Sequence, residues 1–165
     1  MILILAYGNS LRRDDGSGPA LGESLNRVWS ERGIDCRLLL SHQLFPEHSE
    51  EIARPGVNAV VFCDAEDRGN GPFSTLHFSR ILPSAESNPG SHYVPPQAVL
   101  AAARSLYRAS PPAWAATVPG SDFRHGEGFS EPVSRLLQAS DAFAADLLAD
   151  ILSIVGMLPP ASPTG

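Results

Sequence analysis

Two kinds of segment alternate along the chain: short apolar runs, and longer stretches whose apolar residues recur at helical spacing. Met1 to Ala6 is an unbroken apolar run, the pattern of a buried strand, and Tyr7-Gly8-Asn9-Ser10 breaks it. Pro19 to Arg32 sets Leu21, Leu25, Val28 and Trp29 on one helical face, with Glu23, Arg27 and Glu31 on others, and Gly33 ends it. Asp35 to Ser41 predicts a second strand. Pro46 opens a short acidic helix, PEHSEEIA, which Pro55-Gly56 stops. Asn58 to Asp64 (NAVVFCD) is almost wholly apolar, which predicts a central third strand covered on both faces. Phe73 to Phe78 alternates apolar and polar residues and predicts a fourth strand with one exposed face. The link from Asp64 to Phe73 is too short for a crossover helix, so this strand is expected to run antiparallel to the third. An irregular segment from Ile81 to Tyr93 leads into an alanine-dense helix from Pro95 to Arg108. A fifth strand from Trp114 to Val118, a loop from Pro119 to Gly128 and one long helix from Ser130 to about Val155 follow.

The order β-α-β-α-β-β-α-β-α predicts an α/β fold. The expected architecture is a three-layer α/β/α sandwich around a five-stranded, mostly parallel sheet with one antiparallel strand. No internal repeat or long linker divides the chain. Residues 1–157 are read as one domain and residues 158–165 (LPPASPTG) as a flexible tail. A length of 165 residues is enough for a real core.

Composition narrows the function. A formal net charge of -6 argues against a broad nucleic-acid surface or an anionic membrane surface as partner. All 12 basic residues are arginines, which excludes a lysine nucleophile or Schiff base. Cys36 and Cys63 lie in apolar strand-like runs without metal or redox spacing, so both read as small hydrophobes. The opening lacks the basic region of a signal peptide, and no apolar run is long enough to span a membrane. The expectation is a cytoplasmic protein, working as a monomer.

The candidate chemistry lies between the first strand and the first helix. In α/β folds a strand ending in a glycine loop at a helix start is a usual place for a site, and most such loops bind phosphate. Here the loop reads Asp14-Asp15-Gly16-Ser17-Gly18. Two carboxylates repel phosphate and attract a cation. Asp64 ends the third strand and His92 precedes the third helix, so both can meet the first loop on one rim if strands one and three are neighbours. Two carboxylates and an imidazole suit a divalent transition metal: zinc, nickel or iron. Blander roles stand beside these. Asp14 or Asp15 can cap the first helix, Asp64 can be a turn acid, and His92 can be a surface histidine. His125 is a reserve candidate; His42, His48 and His77 have weaker claims. The chain has no G-x-S-x-G, P-loop, G-x-G-x-x-G or H-E-x-x-H motif.

These motifs together resemble the hydrogenase maturation proteases. ILAYGNSLRRDDGSG is similar to the family's opening pattern G-N-x-L-x-x-D-D-G-x-G, with Gly8, Asn9, Leu11, Asp14, Asp15, Gly16 and Gly18 in place. VVFCDA around Asp64 resembles the second motif, Ser91-His92 the third, and FRHGEGFSEPV the late Gly-Glu-x-x-Ser segment. The resemblance implies that Asp15, Asp64 and His92 are the catalytic, metal-binding residues. It implies an endopeptidase that removes the C-terminal extension of a nickel–iron hydrogenase large-subunit precursor once nickel is installed. The nickel is then supplied by the precursor, and the free enzyme can be empty. The chain departs from the family in AEDRGNGPF after Asp64 and in Arg12 and Arg13 of the first loop, which bears on which precursor is cut. A metal- or precursor-binding chaperone without protease activity is the rival reading. A nucleotide-binding domain is disfavoured by the acidic first loop.

Overall fold

In the computed structural model the described residues are 1–68, 75–85 and 93–156. Five strands form one sheet: β1 (Ile2–Tyr7), β2 (Cys36–Ser41), β3 (Ala59–Asp67), β4 (His77–Ile81) and β5 (Ala113–Gly120). Their order is β2-β1-β3-β5-β4. The first four of these are mutually parallel, and β4 pairs antiparallel with β5. The helices are α1 (Ser17–Glu31), α2 (His48–Ile52), α3 (Pro96–Tyr107), α4 (Glu131–Gln138) and α5 (Ser140–Val155), and a 3₁₀ turn spans Arg13–Gly16.

Side chains alternate across β1. Ile2, Ile4 and Ala6 join one core with Leu21, Leu25 and Trp29 of α1 and with Leu147 and Ile151 of α5. Leu3, Leu5 and Tyr7 join the other core with Ile52 of α2 and Val99 and Leu100 of α3. Helices thus cover both faces, as the apolar runs required, each fully buried large side chain contributing about 1.5–3 kcal/mol. Two indoles also tie α5 to the body. Trp29 Nε1 donates to the Ala144 carbonyl at 2.9 Å, and Trp114 Nε1 donates to Asp150 Oδ2 at 2.6 Å. Among the described residues no helix is long and apolar enough to cross a membrane.

The structure shifts three expected features. The fourth strand runs antiparallel to β3 as expected, but lies at the far edge beyond β5. Because β3 is already paired with β1 on one side and β5 on the other, that edge is where a further strand can join. Its range is His77–Ile81 rather than Phe73 to Phe78, and residues 73 and 74 lie outside the described residues. The single long final helix is two helices, interrupted at Ala139 (φ -88, ψ 4). The tail after Gly156 lies outside the described residues.

Helix α1 sits unusually close to the sheet where β1 and β3 end. A Cβ built on Gly18 would stand 2.5 Å from the Tyr7 carbonyl oxygen and 2.9 Å from both Asp64 Cα and the Cys63 carbonyl oxygen. All three are backbone atoms and none can swing aside. Gly18→Ala is therefore expected to lift the helix start from the strands and cost about 1–3 kcal/mol, read as a lower urea midpoint.

Candidate active site

The strand order makes β1 and β3 neighbours, the condition on which a shared rim depended. Their register pairs Leu5 with Phe62 and Ala6 with Cys63, so one step further Tyr7 and Asp64 lie side by side. Both belong to the α3 face, as Leu5 and Phe62 do. Cys63 faces the opposite core, fully buried, and burial beside Asp64 pushes its thiol well above the usual range. It is a packing residue, as its apolar setting predicted.

The first loop then turns back over this rim. Gly8, at φ +145, brings the chain so close to the 3₁₀ turn that a Cβ there would stand 2.0 Å from the Asp15 carbonyl oxygen. Among the described residues Asp15 is held by one bond, its Oδ2 accepting the Asn9 N–H at 2.8 Å. It lies close enough to Asp64 for its charge to disfavour ionisation there. The Asp64 carboxyl is pushed up to about 6, chiefly by burial, with Asp15 adding to the rise; bonds from Tyr7, the Ala65 N–H and Tyr93 pull the other way. Tyr93 Oη donates to Asp64 Oδ2 at 3.3 Å.

The two carboxylates predicted for the site are thus brought together. His92 lies outside the described residues; it immediately precedes Tyr93 in the chain. Among the described residues no three His, Cys, Asp or Glu side chains form a group that could hold a metal. The oxygens do suit a hard or borderline cation. Two like charges held at one rim destabilise each other, and a cation between them removes that penalty. The other histidines are elsewhere or otherwise engaged. His48 accepts the Phe45 N–H on Nδ1 at 2.9 Å and stacks on the Phe45 ring, and His77 opens the edge strand. His125 is exposed in the loop after β5.

Neither a protein-family profile nor a curated protein matches the chain. Solved structures do. The hydrogenase maturating endopeptidase HybD from E. coli superposes with a TM-score of 0.65 at 19% identity, over 90% of this chain and 92% of that one. An endopeptidase from Escherichia coli known by its solution structure gives 0.64 at 19% identity, over 94% and 93%. The NiFe hydrogenase maturation protease HycI from Thermococcus kodakarensis gives 0.59 at 21% identity, over 92% of each chain. The chain has the hydrogenase maturation endopeptidase fold.

Within this endopeptidase fold, Asp14 has a task that the paired acids did not disclose. It caps no helix of its own. Fully buried, it accepts the Ser121 and Asp122 N–H groups on Oδ2 at 3.0 and 2.9 Å, and the Ser130 N–H on Oδ1 at 2.7 Å. The Ser130 hydroxyl donates to Oδ2 at 2.8 Å. Burial pushes this carboxyl up, yet the four bonds together outweigh it and hold it below the usual carboxylate range. The same loop is tied to the first loop by the Arg13 N–H to the Gly126 carbonyl (3.0 Å), the Gly126 N–H to the Leu11 carbonyl (2.8 Å) and the Asp14 N–H to the Asp122 carbonyl (3.0 Å). Arg13, at φ +45, pairs with Asp122 at 3.0 Å. Tyr7 was the other omission. At the end of an apolar run it reads as a strand terminator, and only its polar tip could have marked it.

Proposed function

We propose that this chain is a metal-assisted endopeptidase that removes the C-terminal extension of a nickel–iron hydrogenase large-subunit precursor after nickel insertion. The observation that carries this reading is the approach of Asp15, in the 3₁₀ turn after β1, to Asp64, on the neighbouring strand β3 where its apolar run stops, in a fold whose solved examples include named hydrogenase maturation endopeptidases. The nickel is the precursor's cargo, and the protein acts in the cytoplasm as a monomer.

Asp15 and Asp64, with His92, would complete the coordination of an ion already held by the precursor. A set of two carboxylates and one imidazole, without thiolate, has only moderate affinity and selectivity. It suits inspection of another protein's metal better than storage of nickel. When bound there, the ion would polarise the scissile carbonyl or lower the pKa of a water. A carboxylate of the site would act as the base.

The test mixes enzyme with nickel-loaded and nickel-free precursor and follows the C-terminal mass. Loss of the extension from the loaded precursor alone is expected. Equal cleavage of both defeats the nickel requirement. Binding without any mass loss would favour the chaperone reading.

A further inference from the structure

The first loop carries two adjacent arginines, and the fold neutralises the charge of one. Arg13 pairs with Asp122 at 3.0 Å, and Arg124 pairs with the same carboxylate at 2.9 Å. Both are thereby spent on the loop after β5 and its joint with the first loop. Arg12 is exposed, and no carboxylate among the described residues lies within ion-pair distance of it. Its side chain is held all the same. Nε, the inner nitrogen, donates to the Phe123 carbonyl at 3.3 Å. That bond leaves the two terminal nitrogens, whose fork fits a carboxylate, without a partner among the described residues. The backbone beneath is pinned too. The Arg12 N–H donates to the Asn9 carbonyl at 2.9 Å, and the residues on either side, Leu11 and Arg13, both bond Gly126, at 2.8 and 3.0 Å. The Arg12 carbonyl accepts the Asp15 N–H at 3.1 Å, a turn that sets the two Cα atoms within about 7 Å of each other.

We propose that Arg12 is a specificity-determining residue that binds a carboxylate of the precursor's C-terminal extension. The proposal rests on the endopeptidase reading and names what that site selects. A net charge of -6 repels an acidic segment at long range. Screening over about 8 Å at physiological ionic strength leaves the nearest charges to decide once the segment arrives. Beside Asp15 the nearest cation that no acid neutralises is Arg12. Carboxylates are the anionic groups that an unmodified peptide offers. A guanidinium already held at Nε loses less freedom in binding one than a loose side chain does. The carboxylate is either an acidic side chain of the extension or its terminal carboxylate.

The experiment compares the full chain with its Arg12→Gln and Arg12→Lys variants, with thermal melting to monitor the fold. Cleavage is measured on nickel-loaded precursor, and binding by calorimetry on synthetic peptides of its extension. Arg12→Gln is expected to raise KM about tenfold with kcat within about twofold. Arg12→Lys keeps the charge and loses the fork, and should fall between the two. The peptides separate the two sources. Amidating the C-terminus should weaken wild-type binding about tenfold if the terminal carboxylate is bound. Replacing the acidic side chains by their amides should do so if a side chain is bound. The peptide that lacks the bound carboxylate should have equal affinity for the wild type and Arg12→Gln. Equal KM and equal peptide affinity in the wild type and Arg12→Gln overturn the proposal. So does a fall in kcat alone, which would make Arg12 a support for Asp15. A wild type that binds the peptide without any carboxylate as well as the natural one overturns it too. If the wild-type chain cleaves no precursor, the endopeptidase reading fails, and the peptide titrations decide the role of Arg12 by the same outcomes.

Discussion

Asp14→Ala is expected to destabilise the protein by about 3–5 kcal/mol, measured by urea unfolding. The substitution leaves the Ser121, Asp122 and Ser130 N–H groups without their acceptor around a side chain that is itself fully buried. Asp14→Asn should fare little better, because its amide presents N–H groups where donors already converge. Ser130→Ala removes one hydroxyl bond and should cost about 1 kcal/mol. The same carboxylate makes stability depend on acid. Its folded pKa lies below the unfolded value, so its contribution is complete above the ordinary carboxylate range. It is lost as pH falls from about 4 through the lowered folded value. Urea midpoints between pH 7 and 2 should therefore fall more steeply in the wild type than in Asp14→Ala. Parallel curves would show that Asp14 is not the group responsible.

Asp15→Ala should do the opposite. Processing of the nickel-loaded precursor is expected to fall by at least about 100-fold, while stability stays within about 1 kcal/mol. Asp15 is partly exposed and, among the described residues, has one hydrogen bond, from the Asn9 N–H, to lose. On the proposed reading its work lies in the charge it sets beside Asp64. Mass spectrometry of the precursor's C-terminus and a urea curve on the same preparation separate the two quantities. Full activity in Asp15→Ala would remove this residue from the site. On the proposed reading two adjacent aspartates divide the roles: the first holds the loops, the second faces the reaction.

Much of the fold was legible because burial on both faces leaves its mark on composition. Ile-Leu-Ile-Leu-Ala and Ala-Val-Val-Phe-Cys can hardly be anything but covered strands, and their ends pointed to the rim. The place of Asp64 on the sheet was legible for the same reason, as a charge placed where an apolar run stops. The break at Ala139 was not, because alanine is the strongest helix former and the apolar spacing continues across it. The place of β4 was not, because its own residues do not say which edge remains open. The burial of Asp14 was invisible because its donors lie in another part of the chain, with nothing beside Asp14 to announce them.

The distance along the chain between Asp14 and its donors governs when the first loop can close. Those donors arrive 107, 108 and 116 residues later. A ribosome adding roughly 5–20 residues per second needs on the order of 5–20 s to supply them. Until then the emerging β1 and α1 carry an acidic loop with no counterpart, and the loop cannot close over the sheet. Closing so long a stretch costs entropy before any contact is made, which makes it a late step in folding. A nascent chain released before Ser130 thus carries both acids of the first loop without the scaffold that holds Asp14.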